Sequence, residues 1–355
     1  MTLECRACGA TYAEGPDEPW RCDCGHALDF AERALPDPRD VDASRGLWAF
    51  ESFLPAPPDV SLGEGFTPLT DAPAWDAQFK LDFVFPSGSY KDRGATVLLS
   101  RAAELGVERV LEDSSGNAGA AVAQYAARAG IDADIYVPAD AKPSKLRAIE
   151  AAGATPVRIE GTRSDVTDAC VEAVAAGEGW YASHAWNPAF YAGTETFAYE
   201  LAVQRDRSAP DAVVLPLGHG TLFLGAYRGF RRLHEAGWTD SIPRLYGVQA
   251  AGVAPIANRL HADGDGENDV PDGIQIADPA RADQILDAID ATGGDAIALD
   301  ADTTKRELER LHDGGFYCEP TSAVAPAGLR AYRERGEITA GEDVVVPLTG
   351  SGLKT

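Results

Sequence analysis

Short apolar runs alternate with helical patterns along most of this 355-residue chain, and that alternation restricts the fold more than any other feature. Residues 109–113, 134–137 and 155–159 read as strands. Residues 117–130 and 144–153 read as helices stopped by glycine, and 164–176 as a third helix. The pattern returns as a strand at 212–217, a helix at 221–236 and a strand at 245–249, with further strands at 296–299 and 344–348. This predicts an α/β fold with mainly parallel sheets, and the number of strands calls for two sheets rather than one. Residues 262–282, rich in Asp and Gly, read as a solvated excursion.

Four of the six cysteines fall outside that pattern, within residues 5–24. Cys5-Arg-Ala-Cys8-Gly and Cys22-Asp-Cys24-Gly form two tight knuckles, each relieved by a following glycine. Four converging thiolates suit tetrahedral Zn2+, and a segment too short for its own core gains its fold from the metal. A site with four protein ligands has no open position, so the expected role is structural, and His26 reads as a neighbour. Cys170 and Cys318 stand alone, Cys170 as a buried filler. Residues 1–35 are therefore taken as a zinc-ribbon-like module, the proline-rich 36–60 as a linker, and 61–355 as the main body. A smaller α/β subdomain is expected at about 95–190.

The charge narrows the partners. Lys and Arg total 31 against 56 Asp and Glu, a net charge of −25, and only six of the basic residues are lysine. Such a surface excludes nucleic acid and anionic membranes as partners. It reads as adaptation to high salt, where carboxylates keep a protein solvated, with an ordinary acidic cytosolic protein as the alternative. No apolar run approaches the roughly 20 residues that span a bilayer. The first residues carry neither a basic nor an apolar leader region, so the expected location is cytoplasmic.

Four small-residue loops carry the chemistry. Segment 85–94, Phe-Pro-Ser-Gly-Ser-Tyr-Lys-Asp-Arg-Gly, runs into a helical pattern and sets Lys91 near a helix N-terminus. That end disfavours an extra cation, which suits an amine needed in neutral form for Schiff-base chemistry. Segment 113–119, with Ser114, Ser115, Gly116 and Asn117, is a strand-to-helix turn where the backbone can approach a ligand and Asn117 can donate to a phenolate-like oxygen. Gly218, His219, Gly220, Thr221 and Leu222 follow a strand and open a helix, the pattern of a phosphate cradle. Segment 348–354 offers the Thr349 or Ser351 hydroxyl to a ring nitrogen, an arrangement favouring elimination and replacement over transamination. The cofactor that needs these parts together is pyridoxal 5′-phosphate. Ser87, Ser89 and the Ser114–Asn117 turn are the candidates for binding a substrate carboxylate.

In this order, from 63 to 354, the motifs resemble the fold-type II pyridoxal phosphate enzymes, the tryptophan synthase β-like group. Gly63-Glu-Gly-Phe-Thr67-Pro-Leu69, Ser89-Tyr-Lys91-Asp-Arg-Gly94, Glu319-Pro-Thr321-Ser-Ala and Thr349-Gly-Ser-Gly-Leu-Lys354 look most like the threonine synthases, many of which also carry an N-terminal cysteine ribbon. The resemblance implies two α/β domains plus the ribbon and a homodimer. It implies Lys91 bonded to the cofactor, Asn117 at its ring oxygen, residues 218–222 on its phosphate and Thr349 at its ring nitrogen. It adds Asn187 to the substrate contacts. The chain departs from the family at Phe190 and Glu195, where those enzymes carry an arginine and a lysine, and at Ser351, where histidine is usual.

The leading expectation is conversion of O-phosphohomoserine and water to threonine and phosphate. The second is a lyase or β-replacement enzyme acting on an unphosphorylated amino acid, such as a serine/threonine ammonia-lyase. The third is a non-catalytic binding protein that uses the ribbon for a partner and pyridoxal phosphate for stability.

Overall fold

The structure, a computed structural model, describes residues 1–37, 41–261 and 266–354. Its strands are β1 (Leu3–Cys5), β2 (Thr11–Tyr12), β3 (Leu28–Phe30), β4 (Leu69–Ala72), β5 (Ala77–Lys80), β6 (Arg109–Glu112), β7 (Asp132–Pro138), β8 (Thr155–Ile159), β9 (Trp180–Tyr181), β10 (Ala212–Pro216), β11 (Arg244–Ala250), β12 (Asp295–Leu299) and β13 (Val344–Pro347). The α-helices are α1 (Lys91–Glu104), α2 (Asn117–Ala129), α3 (Pro143–Ala151), α4 (Arg163–Ala175), α5 (Pro188–Thr194), α6 (Thr196–Gln204), α7 (Thr221–Glu235), α8 (Pro255–His261), α9 (Ala282–Thr292), α10 (Ala301–Asp313) and α11 (Pro320–Glu334). They fall into two compact units: Met1–Gly65 with Lys91–Thr194, and Phe66–Tyr90 with Glu195 onward.

The first unit holds a three-stranded antiparallel ribbon, β2-β1-β3, and a four-stranded parallel sheet, β8-β7-β6-β9. The ribbon has a very small core of Leu3, Cys5, Cys22 and Leu28. The parallel sheet has a large one, to which α1 contributes Ala95, Val97 and Leu98, and α2 contributes Ala121, Val122 and Tyr125. Leu47, Trp48, Leu54 and Val60, from the proline-rich stretch after the ribbon, also pack into it. Helix ends follow local chemistry. Gly130 closes α2 in the left-handed conformation at φ 70°, its N–H on the carbonyls of Ala126 and Ala127. Thr162 and Asp165 form a reciprocal capping box at the start of α4. Cys170 is buried inside this unit, and burial pushes its thiol well up.

The second unit is built on a six-stranded sheet of order β12-β11-β10-β13-β5-β4, parallel throughout except for the β4–β5 hairpin at one edge. The central strands β10 (AVVLP) and β13 (VVVP) are buried at every position, as expected where both faces of a parallel sheet are covered. Cys318 is buried here, its thiol pushed up to about 12 by burial. The α/β class with two mainly parallel sheets thus matches the sequence pattern.

One expectation is corrected. Residues 262–265 lie outside the described residues, but from 266 to 282 the segment is only partly solvated, with exposed residues alternating with buried anchors. Asn268, Ile274 and Arg281 are buried, and the Asn268 amide donates to Leu299 O (2.8 Å) and Thr304 Oγ1 (2.9 Å). The Asp and Gly content concealed anchors spaced along it. Among the described residues no helix is long and apolar enough to cross a membrane.

Candidate active site

In each unit, parallel pairing gathers loops at one edge of a sheet, because adjacent parallel strands end on the same side. In the second unit β5, β13 and β10 are consecutive neighbours, so the segments after them emerge together. Backbone bonds join the first two: Tyr90 N donates to Thr349 O and Ser351 N to Gly88 O, each at 2.9 Å. Ser322 Oγ accepts from the amides of Thr349 (3.0 Å) and Gly350 (2.9 Å), which ties the Glu319-Pro-Thr-Ser motif to the same place. The Tyr90 and Thr221 hydroxyls lie 2.8 Å apart and link the third segment to the first. Ser87, Ser89, Thr221, Thr349 and Ser351 are therefore brought together here. Ser89, Thr221, Thr349 and Ser351 are buried, while the Ser87 and Ser89 hydroxyls sit 3.4 Å apart.

Residues 218–222 bend sharply onto α7. Gly220 is its N-cap at φ 77°, and a Cβ there would come within 2.5 Å of Ile285 Cδ1. A Cβ on Gly218 would lie 3.2 Å from Ile274 Cα. Gly218, Thr221 and Leu222 are buried and His219 is half-buried. Glycine is required at Gly220 for both conformation and space, and the result is a helix N-terminus whose backbone N–H groups suit an anion.

In the first unit, β6 and β9 are parallel neighbours, so residues 113–117 and 182–187 share an edge. Ser114, Ser115, Gly116 and Asn117 form a half-buried turn in which Asn117 opens α2. The turn hangs on Asp113, whose carboxylate accepts from the Tyr181 hydroxyl (3.0 Å), the Thr167 hydroxyl (2.6 Å) and Arg163 Nη2 (3.2 Å). Asn187 is buried and its Oδ1 accepts from Ala189 N at 2.9 Å, capping the start of α5. Lys91 is the first residue of α1 and is half-buried, with its Nζ 5.6 Å from the centroid of the Phe190 ring. Gly94, one turn on, leaves room for that ring, since a Cβ there would lie 2.3 Å from Phe190 Cδ1.

Two lysines illustrate opposite uses. Lys80 is wholly buried and committed to structure: its Nζ donates to Glu200 Oε2, Thr67 O and Gln204 Oε1, each at 2.7 Å. Such a set satisfies all three ammonium protons. Lys91 instead stands at a helix start beside an aromatic face.

Sequence reasoning missed a buried pair next to Phe190. Glu112, the last residue of β6, accepts from His184 N (3.2 Å) and lies 2.6 Å from His184 Nδ1. The imidazole packs edge-on against Phe190 at 6.0 Å. Burial, reinforced by Asp113, holds the Glu112 carboxyl well above the ordinary carboxylate range. The available signal was a charged residue ending the otherwise apolar stretch Val-Leu-Glu. Glu195 is explained structurally: it accepts from the Tyr199 hydroxyl at 2.8 Å and pairs with Arg232 at 3.5 Å.

The ribbon brings all four predicted cysteines together. Their Sγ atoms lie within 4.8 Å of one another, with Cys5–Cys24 and Cys8–Cys22 each at 3.5 Å. The Tyr12 hydroxyl donates to Cys22 Sγ at 3.2 Å and draws that thiol down to about 6.

Comparison with known proteins agrees with this architecture. The family model described as pyridoxal-phosphate dependent enzyme matches residues 60–350. A threonine synthase of Methanocaldococcus jannaschii is 30% identical over 378 residues, covering 100% of this chain and 93% of that protein. The threonine synthase of Methanosarcina acetivorans is 32% identical over 376 residues, covering 99% and 92%. In fold the chain resembles the processed form of threonine deaminase isoform 2 from Solanum lycopersicum, with a TM-score of 0.69 at 23% identity, over 82% of this chain and 80% of that one. With most of its length matched by the family model, and with two sheets in the fold-type II arrangement, the chain belongs to the pyridoxal-phosphate dependent enzymes.

Proposed function

We propose that this enzyme converts O-phosphohomoserine and water to threonine and phosphate. The observation that carries the proposal is the similarity to threonine synthases over 99–100% of this chain, at 30–32% identity.

The residues present fit the cofactor. The Gly218–Leu222 bend is a cradle that a Cβ at Gly220 would fill, and it opens a 15-residue helix. Its N–H groups and the Thr221 hydroxyl would hold the cofactor phosphate. Lys91 would hold the ring through its amine, Asn117 would donate to the ring oxygen, and Thr349 would meet the ring nitrogen. Bound there, pyridoxal phosphate supplies an electron sink for charge developing on the substrate. Once the substrate's own amine has displaced it, the freed Lys91 amine would take the proton from the substrate's α carbon and return one later, as a general base and then acid. Ser87, Ser89, Ser114, Ser115, Gly116 and Asn187 would bind and orient the substrate's polar groups. The buried Phe190 ring would exclude water beside Lys91 and restrict the amine's approach.

The four cysteines fit structural Zn2+. Tetrahedral Zn–S bonds of about 2.3 Å require sulfur separations of about 3.8 Å, close to those in the cluster. Purified protein should carry stoichiometric zinc, and its absence would remove this assignment.

A second reading, an ammonia-lyase acting on a free amino acid, is favoured by one observation. Phe190 is apolar, and Glu195 is occupied by Tyr199 and Arg232, so neither offers a cation to a substrate phosphate. The cofactor-loaded enzyme should be given O-phosphohomoserine and, separately, threonine. Equimolar phosphate and threonine from the first supports the proposal. Inert O-phosphohomoserine with 2-oxobutyrate formed from threonine would replace it with the second reading.

A further inference from the structure

Within the first unit the ribbon meets the parallel-sheet part through β3, where Phe30 packs on its core, and through one loop. Residues 9–21 run between the two cysteine knuckles, and the four-sulfur cluster closes the loop at its base, with Cys8 and Cys22 3.5 Å apart. Three side chains of this loop reach the parallel-sheet part of the unit, and Glu14 does so only loosely, 3.9 Å from Arg101 Nη1. Glu18 forms a two-pronged pair with Arg101, Nη2 to Oε2 at 2.6 Å and Nε to Oε1 at 3.3 Å. Both side chains are buried, 1% exposed for Arg101 and 4% for Glu18. The Arg101 guanidinium also lies over the Phe30 ring of β3, 5.2 Å from its centroid. Arg101 belongs to α1, the helix that begins with Lys91.

Trp20 is the second. Its ring stands edge-on to Tyr181 at 5.1 Å and to Trp186 at 4.9 Å. Tyr181 donates its hydroxyl to Asp113, the root of the Ser114–Asn117 turn, and Trp186 immediately precedes Asn187. A cavity of about 390 Å³ beside these rings is lined by Glu18, Trp20, Tyr181 and Asn187 among others. Through Glu18 and Trp20 the loop thus contacts α1, which begins with Lys91, Tyr181, which holds the root of the 113–117 turn, and Trp186 beside Asn187.

We propose that Glu18 and Trp20 are positioning residues for the candidate active site, and that the cysteine cluster serves the enzyme by fixing the loop that carries them. The inference rests on assigning the 113–117 turn and Asn187 to the substrate. A ring wedged between Tyr181 and Trp186 restrains both segments at once, and misplacement of binding groups by even 1 Å weakens productive binding. The buried guanidinium–carboxylate fork sets the angle of α1 in the same way.

The test uses cofactor-loaded, full-length protein as wild type, Trp20→Ala, Trp20→Phe and Glu18→Gln. Hydrogen exchange in Trp20→Ala should accelerate in peptides covering 112–117 and 182–188 and stay unchanged in the six-stranded sheet. The KM for O-phosphohomoserine should rise about tenfold while kcat stays within about twofold. Trp20→Phe, which keeps an aromatic edge, should recover most of the loss, and Glu18→Gln should speed exchange in α1. A lower melting temperature with unaltered exchange pattern and KM, or exchange raised evenly throughout the unit, would overturn the proposal. Should wild type not turn over O-phosphohomoserine, the functional proposal fails, and the exchange comparison still decides this one.

Discussion

The two strand-to-helix turns at the sheet edges look alike in sequence and are held in opposite ways. The 113–117 turn hangs on a buried carboxylate, Asp113, engaged by Tyr181, Thr167 and Arg163. Its cap, Gly116, has ordinary extended backbone at φ −92°. The 216–221 turn depends on left-handed Gly220 and on the apolar side chains of Ile274, Ile276 and Ile285 packed against its glycines. A polar anchor is directional and responds to charge. An apolar one is set by shape and space. The same small-residue pattern therefore encodes one turn fixed by a network of hydrogen bonds to a carboxylate and one fixed chiefly by shape.

This contrast can be broken by substitution. Gly220→Ala should have the largest effect, because left-handed strain of about 1–3 kcal/mol adds to a forbidden contact with Ile285. Cofactor affinity, measured by absorbance titration of the apoprotein, should fall about a hundredfold. Unchanged affinity would mean that the turn is not shape-determined. Asp113→Asn comes next. Weakening its charged hydrogen bonds should cost about 2 kcal/mol of stability, visible as a lower melting temperature with cofactor affinity less affected than in Gly220→Ala.

Glu112 sharpens the comparison through pH. Its folded carboxyl titrates above its unfolded value, so the folded state binds more protons between the two. The stability it contributes is fully present below the ordinary carboxylate range and declines as pH rises toward the folded value. Asp113, Arg163, Lys91 and His184 all act on this carboxyl. Glu112→Gln should remove that decline, so the melting-temperature difference between variant and wild type should shift in the variant's favour as pH increases from about 4.5. A difference independent of pH would exclude the carboxyl as its source. The smallest effect is expected for Thr221→Val, which loses the 2.8 Å contact with Tyr90 for about 1 kcal/mol of stability, read by denaturant unfolding.

The alternation of apolar runs and alanine-rich helices was enough to read the α/β class, because buried parallel strands such as Val-Val-Val-Pro at β13 leave a continuous apolar trace. The glycine turns were legible for the same local reason. The hairpin β4–β5 and helices α8 to α11 were not, since their signals are short or mixed. Leu47 and Trp48 were hidden among prolines, although they are buried. The Glu112–His184 pair and the Trp20 contacts were invisible because their partners lie 72 residues and more than 150 residues away along the chain. Sequence reading finds what local chemistry dictates, and the long-range polar and aromatic partners need the fold.

The central claim is that Lys91 carries the cofactor while the buried Lys80 is structural. Borohydride reduction of the cofactor-loaded protein, followed by peptide mass spectrometry, tests it directly. The modification should fall on the peptide containing Lys91 and vanish in Lys91→Ala. A label on another lysine, or none in a protein that binds the cofactor, would contradict it.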